Sequence, residues 1–86
     1  MTRQRDVPQR VETLLQRVFA VAPRQLRDET RRGELDRWDS LGHLALIEAL
    51  REEFAIDIPP ELALSMDTVA DVKRITSALL QGQTGG

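Results

Sequence analysis

Arg37-Trp38-Asp39-Ser40-Leu41-Gly42-His43-Leu44 is the stretch whose reading decides the fold. Asp39 and Ser40 both favour helix N-caps, where a side-chain oxygen accepts a hydrogen bond from a free backbone N–H of the first turn. Helix-forming sequence follows through Phe54, with Leu41, Leu44, Leu46, Ile47, Leu50 and Phe54 covering a broad apolar face. A helix is therefore predicted from Ser40 to Glu53 or Phe54. Its apolar residues exceed one stripe, so part of this surface is expected near solvent. The Ser40 hydroxyl would then sit at the positive end of a helix dipole, with small Gly42 leaving room close by. That position favours an anion, a phosphate above all. Taken alone, an Asp-Ser pair before an apolar helix is most often only a cap.

Upstream of the stretch, residues 23–38 form a long, charged connection containing Gly33. Connections of this length are uncommon in a small domain unless functional or pinned. Leu26, Leu35 and Trp38 are the expected pins, with Trp38 a packing anchor first and a neighbour of the functional serine second. Arg31, Arg32 and Arg37 are read as solvated, or as groups that approach an anion at Ser40. Earlier still, Val11, Leu14, Leu15, Val18, Phe19 and Ala22 recur at helical spacing from about Gln9 and stop at Pro23. Residues 1–8 are polar, contain Pro8 and read as a flexible lead-in.

Downstream, Ala55-Ile56-Asp57-Ile58-Pro59-Pro60 alternates like a strand but is short, so it reads as an extended connection. Pro60 through Leu64 starts a short helix, with proline at its first turn. Asp67-Thr68 caps a last helix whose inward stripe is Val69, Val72, Ile75, Thr76 and Leu79, with Leu80 near the end. Residues 81–86 read as a flexible tail by composition. Their terminal Gly-Gly also occurs in ubiquitin-like modifiers, but the all-helical pattern does not support that fold. The expectation is an all-α fold: a small antiparallel bundle of three main helices plus one short one, occupying residues 9–80 as one domain.

Composition narrows the function. The chain has 86 residues and no cysteine, which removes disulfides and thiolate metal sites. Any thiol on the working protein must come from an attached group. No apolar run approaches the ~20 residues of a membrane span, and no signal peptide opens the chain, so a cytoplasmic location is the default. With one lysine and no basic stripe, nucleic-acid binding is not expected. Net charge is −2, but residues 1–38 hold nine arginines against six acids, and residues 39–86 hold three basic residues against eight acids. The acidic half begins at Asp39, so the face around Ser40 should attract basic partners. A solvated acidic face kept for solubility is the plainer alternative. His43, the only histidine, has no second catalytic group at suitable spacing and reads as a surface or rim residue.

In Asp39-Ser40-Leu41, followed by Leu46, Leu50, Glu52-Glu53-Phe54, Ile58-Pro59 and Thr68-Val69, the chain resembles the acyl carrier proteins over roughly residues 9–80. The resemblance implies a 4′-phosphopantetheine arm, derived from coenzyme A, on Ser40. It also implies a carrier of acyl thioesters, not an enzyme, with no catalytic and no metal-binding residues of its own. A phosphopantetheinyl transferase would install the arm, and acyl-loading and acyl-transferring biosynthetic enzymes would use it. Asp39, Leu41, Leu44, Glu48, Glu52, Glu53, Ile58 and Met66 are the partner-contact residues it implies, Met66 being equally compatible with simple core packing. The chain's start at Met1 and its end soon after the last helix suggest a freestanding carrier, although a domain cut out of a modular enzyme would read similarly; a monomer is expected. Where fatty-acid carriers have acids two, five and eleven residues after the serine, this chain has Gly42, Ala45 and Arg51. It looks more like carriers of polyketide or peptide natural-product pathways. The alternatives are a fatty-acid carrier, or a helical docking or adaptor module with no covalent arm.

Overall fold

The computed structural model describes residues 3–85, with side-chain surroundings from 6 to 82. Among them are four α-helices: α1 (Arg3–Phe19), α2 (Ser40–Phe54), α3 (Pro60–Leu64) and α4 (Val69–Gly85), plus a 3-10 turn at Pro23–Gln25. The bounds of α2 and α3 and the start of α4 are those the sequence predicts. Helix α1 packs against both α2 and α4 and so forms the shared wall of the core.

Three boundaries differ from expectation. Helix α1 begins at Arg3, so residues 3–8 are helical and not a lead-in; residues 1–2 lie outside the described set. Val7 is fully buried and extends the stripe of Val11, Leu14 and Leu15 by one turn. Pro8 forfeits a backbone hydrogen bond, but it is exposed and only about one turn precedes it. At the other end, α4 continues through Gln81 to Gly85 instead of giving way to a tail, and Gly86 lies outside the described residues. No proline interrupts α4, and half-buried Leu79 and Leu80 hold its later turns, from which helical bonding propagates outward.

Helix α1 also stops before Ala22. Ala20 adopts a left-handed conformation (φ 56°), and the Val21 N–H bonds back to the Gln16 carbonyl at 3.1 Å, which closes the helix end. The core that these helices enclose holds Val11, Leu14, Leu15, Phe19, Trp38, Leu46, Leu50, Met66, Val69 and Val72, all essentially inaccessible. Thr76 is buried among them, its hydroxyl without a hydrogen-bond partner. Such a group costs about 1–3 kcal/mol against a satisfied one.

The long connection is pinned, as its length required. Leu26, Leu35 and Trp38 enter the core. Its backbone is tied to the start of α4: Val69 N–H to Thr30 O at 3.0 Å, Arg32 N–H to Asp67 O at 2.7 Å, and Ala70 N–H to Asp28 O at 3.0 Å. Ion pairs add to these ties. Lys73 on α4, only 17% exposed, holds Glu12 of α1 at 2.6 Å and Asp28 of the connection at 2.7 Å. Burial opposes its charge, but the Asp28 and Glu12 carboxylates prevail and raise the ammonium above its ordinary pKa. At the start of α4, Asp71 accepts from the Asp67 and Thr68 N–H groups while Thr68 Oγ1 accepts from the Asp71 N–H, a capping box. Partial burial works to raise the Asp71 carboxyl. The hydrogen bonds from Arg74, Asp67 and Thr68 outweigh it and hold the carboxyl below its usual range.

Candidate functional site

Asp39 is the N-cap of α2. Its backbone is extended (φ −102°, ψ −161°), its side chain accepts from the Gly42 N–H at 2.9 Å, and its carbonyl accepts the first helical bond, from His43 N–H at 2.8 Å. Ser40 is therefore the first residue of the helix and is exposed. The Ser40 and Leu41 N–H groups have no intrahelical partner by position and stand at the positive end of the dipole. Leu41 (77%), Leu44 (64%) and Leu64 (71%) are the large apolar residues left exposed among the described residues. Leu41 and Leu44 follow Ser40 directly on α2, so whatever reaches the hydroxyl meets apolar surface.

Gly42 does not face this surface. A Cβ added there would overlap the carbonyl oxygen of Arg37 and come within 3.3 Å of Phe19 Cε1. The residue leaves room for the connection and not for a group on Ser40. The cause is Trp38. Its buried ring stacks on Phe19, with centroids 5.4 Å apart, and this draws the preceding backbone onto α2.

His43 is likewise not a rim residue. It is buried, with Nδ1 3.0 Å from the Trp38 indole Nε1 and Nε2 2.8 Å from the carbonyl oxygen of Ala63 on α3. An indole N–H can only donate, so Nδ1 is the acceptor and Nε2–H donates to Ala63. Sequence reasoning missed both roles because neither has a local signal. The Trp38-to-His43 spacing on either side of a cap is the nearest to one.

The expected partner residues divide. Asp39, Leu41, Leu44, Glu48, Glu52 and Glu53 are exposed, Ile58 is half-buried, and Met66 is fully buried core. A partner cannot touch Met66 without opening the fold, so its packing alternative is the one realised. The acids of α2 are partly neutralised. Arg51 bonds Glu48 at 3.3 Å, and Arg10 of α1 holds Glu53 at 3.0 Å while lying over the Phe54 ring. Glu52 alone of the three has no ion-pair partner among the described residues. Arg32 pairs with Asp67, whereas Arg31 and Arg37 are exposed.

The start of α2 thus presents an exposed serine at the positive end of a helix. The model of the phosphopantetheine attachment site family matches residues 9–75. An acyl carrier protein from Thermosynechococcus vestitus is 35% identical over 69 residues, which cover 80% of this chain and 85% of that protein. The chain belongs to the acyl carrier protein family. Its prosthetic group is 4′-phosphopantetheine, and it is a carrier of bound intermediates, served by phosphopantetheinyl transferase and biosynthetic enzymes in general. The start of α2 fits that group: an exposed hydroxyl for the bond and two free N–H groups beside a phosphodiester. No helix among the described residues is long and apolar enough to cross a membrane.

Proposed function

We propose that Ser40 bears the arm, and that the protein serves a specialised pathway assembling a polyketide or peptide natural product. The observation that carries the attachment site is the position of Ser40 beside its competitors. The hydroxyl of Ser65 is bonded to Glu61 O at 3.0 Å at the negative end of α3, and Ser77 is half-buried along α4. Ser40 alone of the three is exposed at the positive end of a helix.

The bond changes follow. Ser40 Oγ bonds to the phosphorus that bears the pantetheine of coenzyme A, and its proton passes to a base on the transferase. The pyrophosphate linkage breaks, and the adenosine bisphosphate leaves. Once bound, the arm supplies a thiol that holds acyl groups as thioesters. The chain's residues set the stage: Asp39 fixes the helix end, while Leu41 and Leu44 give a partner apolar area to cover. Glu48, Glu52, Glu53 and Ile58 extend the contact.

Charge supports the specialised pathway. Ala45 and Arg51 replace acids, and Arg51 and Arg10 further offset Glu48 and Glu53. A partner that reads an acidic helix with basic patches would find little to hold. The lack of cysteine is in keeping with a cytoplasmic site of action.

Intact mass after incubation with coenzyme A and a broad-range phosphopantetheinyl transferase should rise by one arm, and by none in Ser40→Ala. An unmodified parent would leave the adaptor reading. The pathway is tested by Ala45→Glu with Arg51→Glu. These should improve turnover by a fatty-acid elongation enzyme, more at low salt than at high; equal turnover would refute selection by charge.

A further inference from the structure

Helix α3 is weakly held by its own residues. It has five residues, no side-chain cap and no fully buried side chain, with Leu62 and Ala63 only half-buried. One well-formed polar contact reaches it from α2: His43 Nε2–H to Ala63 O at 2.8 Å, at a carbonyl near the helix's C-terminal end. That imidazole is itself fixed. Its Nδ1 is engaged by the Trp38 indole, whose ring stacks on Phe19 of α1 (5.4 Å) and lies nearly coplanar with the imidazole it bonds at its edge (6.3 Å between centroids). The arrangement exists only because Gly42 lets the Arg37 backbone close onto α2.

We propose that His43 is a positioning residue: with Trp38 and Gly42 it latches α3 to the start of α2 and so sets the shape of the surface around Ser40. Helix α2 carries exposed Leu41 and Leu44 close after Ser40, and α3 carries exposed Leu64. The His43–Ala63 bond fixes where α3 stands relative to the start of α2. A partner that reaches Ser40 covers Leu41 and Leu44, and the position of α3 sets what else it meets. The role at the partner surface rests on Ser40 being the attachment site; the latch itself does not.

Three substitutions dissect the bonds. His43→Leu removes both, His43→Asn keeps an acceptor near the indole but cannot span to Ala63, and His43→Gln can carry an N–H to Ala63. Amide hydrogen exchange on the unmodified protein judges the latch. In His43→Leu and His43→Asn, the amides of residues 62–66 should exchange about tenfold faster than in the parent, beyond any change in the core amides of α1 and α4. His43→Gln should restore much of that protection. Arm attachment judges the consequence. The KM for the carrier should rise several-fold in His43→Asn while kcat stays within about twofold, since the Asp39 cap at Ser40 is untouched. Exchange that rises equally in every helix, or not at all in residues 62–66, would overturn the latch. Faster exchange in residues 62–66 with an unchanged KM would overturn its role at the partner surface. A parent that accepts no arm would refute the Ser40 assignment and, with it, that role, while the exchange data still decide the latch.

Discussion

At the scale of single residues, Gly42 shows how a position read as a missing charge can be a steric requirement. Fatty-acid carriers place an acid there, yet in this chain any side chain would strike the Arg37 carbonyl. Gly42→Ala and Gly42→Asp should both destabilise the fold, by about 1–3 kcal/mol for the alanine if the connection shifts to admit it. Ala45→Glu, on the exposed side, should stay within about 0.5 kcal/mol of the parent. Urea unfolding of the three variants checks this, and a Gly42→Ala as stable as the parent would mean the connection is loose at Arg37. The difference between positions 42 and 45 was not legible in the sequence. It depends on a carbonyl that arrives only because Trp38 is buried. His43 was misread for the same reason: its partners lie five and twenty residues away on separate elements.

At the scale of elements, local chemistry was legible and ends set by packing were not. The Asp39 cap, Pro60 at a first turn and the Thr68–Asp71 capping box mark the starts of α2, α3 and α4, because each acts within one turn of chain. The start of α1 is different. Pro8 looks like a break, and only the burial of Val7 outweighs it. The end of α1 carries a testable strain. Ala20 is exposed with φ 56°, a conformation that costs an L-residue about 1–2 kcal/mol and glycine almost nothing. Glycine's greater freedom in the unfolded chain returns about 0.5–1 kcal/mol of that. Ala20→Gly should therefore raise stability by roughly 0.5–1 kcal/mol, read as a higher urea midpoint with unchanged slope. A lower midpoint would mean that this helix end relaxes in solution.

At the scale of the whole molecule, Lys73 joins α4 to α1 and to the connection, while Asp71 caps the start of α4; both have shifted proton affinity, and each gives a pH signature. Lys73 has a raised pKa, so its contribution is complete below the unfolded value, about 10.4, and is lost as pH climbs through the folded value. The stability gap between parent and Lys73→Met should therefore be flat across neutral pH and shrink above about pH 10. Asp71 is depressed, so its contribution is present above about pH 3.9 and disappears as pH falls through the lower folded value. The gap to Asp71→Asn should close only in acid. Gaps independent of pH would remove both groups from the stability account. These ties hold the helices that leave the start of α2 free to present a serine. The central claim is that this one serine bears the arm, and peptide mapping of the protein after treatment with coenzyme A and transferase tests it most directly. A single phosphopantetheine on the peptide containing Ser40 is the predicted result; an arm on Ser65 or Ser77 would contradict it.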